Sequence, residues 1–161
     1  MQQSFTLIEL IFVIVIIGLL ASVAVPKFTN LATHAKEANI KSVITTVESS
    51  IDNIHGQWII NDTYSWKPEH GSCGLNSQGY PDSLDDNSSD EKQLFKCVLK
   101  NPVPSCGDKH SGCWEEYDSG KYQYKYSEDK KLKVEYNASN GDIVCLDGDG
   151  VTKEECEKTI Y

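Results

Sequence analysis

Residues 10–25 read LIFVIVIIGLLASVAV, an uninterrupted apolar run without a charged side chain. Glu9 stands immediately before this run and Pro26 immediately after it. The rest of the 161-residue chain is hydrophilic and is long enough for one ordinary domain. This contrast predicts an apolar anchor over residues 5–26 and a soluble head over residues 27–161.

The charge and the motif content of the chain exclude several functional classes. The formal net charge is −9, and the sequence contains no arginine. Binding to a phosphate backbone depends on clustered Lys and Arg, so we expect no nucleic-acid partner. The sequence has no Gly-rich phosphate loop, no HExxH motif and no nucleophile motif. We therefore predict a protein that is not an enzyme and that needs no cofactor.

Six cysteines, all outside the apolar run, predict disulfides and an oxidising compartment. Short local loops favour the pairs Cys145–Cys156 and Cys106–Cys113, which leaves Cys73 for Cys97. Sequence alone does not exclude the other pairings. A zinc site within CGDKHSGC (106–113) is a weaker interpretation, because a fourth ligand is not evident.

Two general interpretations of the N-terminus compete. A secretory signal peptide would be cut after Ser22-Val23-Ala24, but residues 1–4 lack the usual basic start. A plain membrane anchor is short over residues 10–25, because a span needs about 20 residues. Extending the anchor in the N-terminal direction places Glu9 inside the membrane, where a carboxylate is rare and needs a partner.

A third interpretation accounts for Glu9. Residues 4–28, SFTLIELIFVIVIIGLLASVAVPKF, resemble the N-terminal signature of the type IV pilin and type II secretion pseudopilin family. The resemblance implies a leader over residues 1–4 and cleavage between Ser4 and Phe5, although the family usually has Gly where Ser4 stands. It also implies methylation of the new Phe5 amine. Gly18 and Pro26 match the positions where the family loosens or kinks its helix.

The charge of Glu9 predicts an assembly contact. After cleavage, the amine of Phe5 is a cation one helical turn from the Glu9 carboxylate. Burying either charge in a filament core is tolerable only when the two are paired. We therefore predict that Glu9 of one subunit pairs with the Phe5 amine of its neighbour. The alternative is that Glu9 only reaches the lipid headgroups.

Beyond Pro26, which should kink the helix, apolar residues recur every three to five positions as far as Trp58. This spacing predicts an amphipathic helix that continues from the anchor. The whole helix would run from about Thr6 to Ile54 and end at Gly56. Its second half would pack one face on the head, and we assign His34 and His55 to solvent or to helix ends.

The remaining sequence predicts a small antiparallel sheet. Residues 59–92 indicate a long surface loop, and residues 91–99 a short helix. Alternating patterns predict strands at 121–127 and 132–136, joined by a hairpin loop at 127–131. A third strand is predicted at 142–146, after a turn at Asn140-Gly141. A three-stranded meander packed on the long helix gives an α+β head stapled by disulfides.

An acidic stretch near the end of the chain resembles part of a calcium loop. Asp147 and Asp149 alternate with glycines, and Glu154 and Glu155 follow. Oxygen-rich turns of this kind suit Ca²⁺, but the complete EF-hand spacing is absent. The pseudopilin resemblance allows a calcium ion here, and the alternative is a solvated acidic turn.

The family resemblance implies a structural role. It predicts a subunit of a type IV pilus or a type II secretion pseudopilus, held in the bacterial inner membrane with its head in the periplasm and then assembled with copies of itself. The implied partners are a prepilin peptidase, a platform protein and an assembly ATPase. Orientation rests on the resemblance, because Lys27, Lys36 and Lys41 all follow the span. The alternative is an exported binding or adhesion module, either anchored or secreted.

Overall fold

A computed structural model describes residues 6–61, 66–68, 73–86, 93–108 and 111–161 of the chain. The chain divides into two compact units, Met1–Lys36 and Glu37–Tyr161. Helix α1 spans Leu7–Ile60 and contributes to both units, and helix α2 spans Lys153–Ile160. The strands are β1 (Gln93–Leu94), β2 (Val103–Pro104), β3 (Cys113–Asp118), β4 (Lys121–Lys125), β5 (Lys131–Asn137) and β6 (Asp142–Leu146).

Helix α1 is longer than the periodicity predicts. The predicted end at Ile54 is wrong, because the helix continues through Gly56 to Ile60. A glycine inside a helix costs only about 1 kcal/mol relative to alanine, which tertiary contacts can offset. One such contact is at Trp58, whose ring packs so closely on Gly79 that a Cβ there would clash with it.

The sheet is a four-stranded antiparallel meander in the order β3-β4-β5-β6. The three predicted strands are β4, β5 and β6, but the prediction of a three-stranded sheet is wrong because it lacks β3. The β3 sequence CWEEYD does not alternate. Its first two residues are buried and its last three are exposed. Strand β3 therefore depends on pairing with β4, in which Trp114 lies opposite Tyr124.

The predicted short helix over residues 91–99 is wrong for its described part. Residues 93–94 form β1, which pairs with β2, and a turn follows. Phe95 has φ of 61°, a left-handed conformation that does not fit an α-helix. The carboxylate of Asp85 stabilises this turn by accepting hydrogen bonds from the backbone N–H groups of Phe95 and Lys96, at 2.9 and 3.1 Å. Residues 91–92 lie outside the described residues.

The core of the second unit contains one face of α1 and the inner face of the sheet. Burial of these apolar side chains drives the packing, at roughly 25 cal/mol per Å² removed from water. Tyr136 contributes both apolar packing and a hydrogen bond. Its ring is buried, and its hydroxyl donates to the Pro81 carbonyl at 2.8 Å. The fully buried aliphatic residues include Ile40, Ile44, Val47, Ile51, Leu132 and Val134.

Three disulfides cross-link segments of the head. Two of them are the pairs that the short loops favour, and the third joins the two remaining cysteines. They link Cys73 to Cys97, Cys106 to Cys113 and Cys145 to Cys156, with Cα–Cα distances of 5.9, 5.0 and 5.9 Å. The last of these connects β6 to α2, a helix that the sequence analysis did not predict. The elements therefore form the α+β, disulfide-stapled head that the sequence predicts.

Candidate functional site

The N-terminal turn of α1 carries a capping box. Helix α1 begins at Leu7, so Thr6 occupies the N-cap position and Glu9 the third helical position. The Glu9 N–H donates to Thr6 Oγ1 at 3.3 Å. In return, the backbone N–H and the hydroxyl of Thr6 donate to Glu9 Oε2, at 3.2 and 3.0 Å. These bonds satisfy backbone donors that have no partner within the helix.

The capping box gives Thr6 a role that the sequence analysis missed. A Thr followed three residues later by Glu, immediately before an apolar run, is a recognised signature of a helix N-terminus. The signal was therefore present in TLIEL, residues 6–10. The carboxylate of Glu9 also complements the positive end of the helix dipole. Glu9 thus stabilises the start of the helix within its own chain.

The helix that follows is apolar around its whole circumference. Residues Leu7–Val25 have a mean hydropathy of 2.9, and none of these side chains is buried. Nineteen helical residues extend about 28 Å, which is close to the roughly 30 Å of a bilayer hydrocarbon core. This segment is therefore long and apolar enough to cross a membrane. Glu9 is its single ionisable side chain.

The other residues predicted for processing and helix kinking are only partly placed. Ser4 and Phe5 lie outside the described residues. Gly18 and Pro26 lie inside α1, which is assigned without interruption. Apart from Gly18 itself, its two neighbours and the adjacent helix backbone, no described atom lies within 4 Å of the position that a Cβ on Gly18 would occupy. The kink at these two positions stays a prediction.

The structure gives the predicted calcium residues other contacts. Asp149 accepts ion pairs from Lys131 at 3.1 Å and Lys133 at 3.4 Å, and the hydrogen bonds from these lysines lower the pKa of its carboxyl. Asp147 Oδ1 accepts a hydrogen bond from the Lys153 N–H at 2.9 Å. Within the described residues, no group of three or more His, Cys, Asp or Glu side chains could hold a metal ion. The two alternatives from the sequence, a calcium loop and a solvated acidic turn, both stay predictions.

The sequence analysis also missed a buried polar cluster in the head. Asp85 is 7% exposed, and desolvation raises the pKa of its carboxyl to about 6, although two backbone N–H groups donate to it. Lys96 is 6% exposed and pairs with Asp86 at 2.7 Å. Charged residues are normally exposed, and Asp85 and Asp86 lie in the hydrophilic stretch DSLDDNSSDE (82–91), which gives no sign of burial.

His55 was assigned to solvent or to a helix end, and that assignment is wrong. Its ring stacks on Tyr80, with centroids 3.9 Å apart, and lies 5.9 Å from Trp58. Tyr80 in turn packs on Gly141, where a Cβ would lie 2.5 Å from the ring. The cluster joins the end of α1 to the β5–β6 turn. We interpret this cluster as a packing contact between the end of α1 and the head.

Comparison with known proteins finds a family motif at the N-terminus of the chain and several related proteins. Residues 1–25 match the family model for the prokaryotic N-terminal methylation motif. The chain is 48% identical over 48 residues to the type IV narrow pilus major component PilA5 of Thermus thermophilus. It is 29% identical over 92 residues to the type IV major fimbrial protein FimA of Dichelobacter nodosus, and 35% identical over 66 residues to a fimbrial protein of Neisseria meningitidis.

These matches cover only part of each protein. They include 30%, 56% and 39% of this chain and 41%, 56% and 39% of the respective relatives. The chain therefore spans about half the length of the relatives it matches, or less. No solved structure matches the chain significantly.

Proposed function

Because this chain is a type IV pilin family protein, we propose that it is the structural subunit of a filament, either a type IV pilus or a type II secretion pseudopilus. The observation that carries the proposal is Glu9, the single charge in an exposed apolar helix that is long enough to span a bilayer. A carboxylate in this position costs insertion energy. This cost is explained if the Glu9 carboxylate pairs with a cation in the assembled filament.

In this proposal, the subunit resides first in the bacterial inner membrane with its head in the periplasm. A prepilin peptidase removes residues 1–4 and methylates the amine of Phe5. A platform protein and an assembly ATPase then drive the subunit into the filament. Moving an apolar helix from lipid into a helix bundle gains little hydrophobic energy, since both surroundings are apolar. Helix packing and charge pairing therefore supply much of the specificity.

The capping box refines the role of Glu9. In the single subunit, Glu9 Oε2 accepts the N–H and the hydroxyl of Thr6. In the filament, the amine of Phe5 from the adjacent subunit pairs with this carboxylate and neutralises it. Removing one partner of a buried ion pair costs about 3–5 kcal/mol, because the other charge stays buried and unpaired. Loss of the Glu9 charge should therefore affect assembly far more than membrane insertion.

Two substitutions separate the capping function from the charge. Glu9→Gln keeps a side chain that can complete a capping box but removes the negative charge. Glu9→Val removes both. We expect both variants to remain in the membrane fraction and to lose filaments when counted by electron microscopy of sheared cells. Normal filaments from Glu9→Gln would show that the cap, and not the charge pair, is what assembly requires.

The processing step has its own test. Mass spectrometry of the N-terminal peptide from the membrane fraction should show a chain that begins with N-methylated Phe5. A mature chain that retains residues 1–4 would contradict the proposal, because the Phe5 amine would not exist. A soluble chain that begins at Val25 would instead indicate cleavage of a secretory signal peptide.

A further inference from the structure

The turn between β5 and β6 carries a motif that the filament role does not use. Strand β5 ends at Asn137, and β6 begins at Asp142. Residues 137–139 read Asn-Ala-Ser, which is the tripeptide N-x-S/T without proline in the middle. This tripeptide accepts N-linked glycans when it lies on the surface of an exported chain. The disulfides indicate that the head matures in an oxidising compartment, as exported chains do.

The acceptor asparagine is accessible in the folded head. Asn137 and Ser139 are both exposed, and Ala138 between them is half-buried. The side-chain oxygen Oδ1 of Asn137 accepts hydrogen bonds, whereas its nitrogen Nδ2 donates none to the residues that the structure describes. A sugar joined to this nitrogen would therefore extend into solvent without replacing a described hydrogen bond of the head.

Contacts other than the acceptor nitrogen hold the turn in place. The Gly141 N–H donates to the Asn137 carbonyl at 2.9 Å, and Asn137 pairs with Asp142 at the end of the β5–β6 ladder. The Ala138 carbonyl accepts a hydrogen bond from the side-chain amide of Asn76. Because none of these bonds uses Asn137 Nδ2, a change at that nitrogen leaves the support of the turn intact.

Ser139 lies against the amide that would react. Its N–H donates to Asn137 Oδ1 at 3.0 Å, and its hydroxyl donates to the same oxygen. When an amide nitrogen forms a bond to a sugar it loses a proton, and negative charge then spreads onto the amide oxygen. Hydrogen bonds to the charged form of a group favour that form. The two bonds from Ser139 therefore favour reaction at Asn137 Nδ2.

We propose that Asn137 carries an N-linked glycan. The donor class is an oligosaccharide joined to a lipid pyrophosphate, and a membrane transferase catalyses the step. Asn137 Nδ2 forms a bond to the anomeric carbon of the glycan, and the bond from that carbon to the phosphate oxygen breaks. The lipid pyrophosphate leaves with the electron pair, and the Nδ2 proton passes to a base of the transferase. This inference rests on the export of the head, which is part of the proposed function.

Mass spectrometry of the full chain, purified from the cells that make it, tests the site. The tryptic peptide over residues 134–153 should be heavier than its sequence by the mass of one or more sugars. Fragmentation of this peptide should place the added mass on Asn137 and not on Asn140 or Ser139.

Substitutions within the tripeptide test the acceptor chemistry. Asn137→Gln and Ser139→Ala should each lower the glycosylated fraction by about tenfold or more, because each destroys the acceptor tripeptide. Ser139→Thr should keep the glycan, because threonine supplies the same hydroxyl. Asn53→Gln is the matched control, since Asn53 is exposed and begins no such tripeptide, and it should leave the glycosylated fraction unchanged. Wild-type tryptophan fluorescence in every variant would show that the head still folds.

Three results would overturn the inference. They are an unmodified Asn137 in the wild type, a sugar on the Ser139 hydroxyl, and a glycan confined to Asn61 or Asn87, which begin the other N-x-S/T tripeptides of the chain. Filaments built from a processed but unglycosylated chain would overturn this inference and leave the proposed function intact. A chain that is glycosylated at Asn137 but forms no filaments would contradict only the proposed function.

Discussion

Asp85 links the pH of the medium to the stability of the head. Desolvation raises the pKa of its carboxyl from 3.8 to about 6, so the folded chain binds a proton in a pH range where the unfolded chain does not. Stability contributed by this group is therefore highest below about pH 4 and declines as the pH rises towards 6. The loss across this window is about 3 kcal/mol.

The substitution Asp85→Asn removes this titration. We expect the difference in unfolding free energy between the wild type and Asp85→Asn to change by about 3 kcal/mol between pH 4 and pH 7, in favour of the variant at the higher pH. Urea unfolding in detergent micelles, followed by tryptophan fluorescence, measures this. Trp114 is a suitable reporter because it is 1% exposed. The exposed Asp129→Asn is the control, and an equal pH dependence in both variants would contradict the assignment.

Asp149 gives a second prediction at the scale of the residue. Calcium would have to displace Lys131 and Lys133 from its carboxylate. We therefore expect millimolar Ca²⁺ to leave the melting temperature of the head unchanged. A rise in melting temperature that disappears in Asp149→Asn would instead support a calcium site, since a ligand that binds only the folded state stabilises it.

At the scale of the element, α1 and α2 are both stabilised at their N-termini by a capping box. Helix α2 begins with a capping box in which the Glu155 N–H donates to Thr152 Oγ1 and the Thr152 N–H donates to Glu155 Oε2, at 3.3 and 2.9 Å. The hydrogen bonds that the N–H and the hydroxyl of Thr152 donate to its carboxylate lower the pKa of Glu155. The support from Glu155 is therefore present above the unfolded pKa of a glutamate and is lost as the pH falls below it.

The cap of α2 can be tested by a single substitution. Thr152→Ala removes the side-chain acceptor and should destabilise the head by about 1 kcal/mol, the usual cost of losing an N-cap. Thr159→Ala is the matched control in the same helix. Its hydroxyl donates to the Glu155 carbonyl and caps no N–H group. Equal losses in urea unfolding for the two variants would show that the cap has no special contribution.

At the scale of the whole molecule, the disulfides cross-link elements of the head that are distant in sequence. The Cys145–Cys156 bond joins the edge strand β6 to α2, and its two cysteines are 3% and 0% exposed. Replacing both with alanine should cost about 2–5 kcal/mol, mainly through the freedom returned to the unfolded chain. A lower melting temperature without loss of the sheet signal in circular dichroism is the expected result. An unchanged melting temperature would show that packing alone holds α2.

The sequence by itself determined the features that depend on local chemistry. The apolar run over residues 10–25 predicts an apolar helix there, alternation predicts β4 and β5, the Asn140-Gly141 turn predicts β6, and short loops between cysteines favour two of the pairs that form. The Thr6–Glu9 capping box was equally local and could have been recognised. Each of these signals lies within a few residues of chain, where spacing and side-chain type decide the structure.

Only the tertiary structure decided the features that depend on distant segments. Strand β3 exists because β4 pairs with it, and α1 passes Gly56 to reach Trp58, which packs on Gly79. Asp85 is buried because the turn at Phe95 supplies backbone donors ten residues along the chain. In each case, packing between remote segments outweighs local propensity, which is worth about 1 kcal/mol per residue or less.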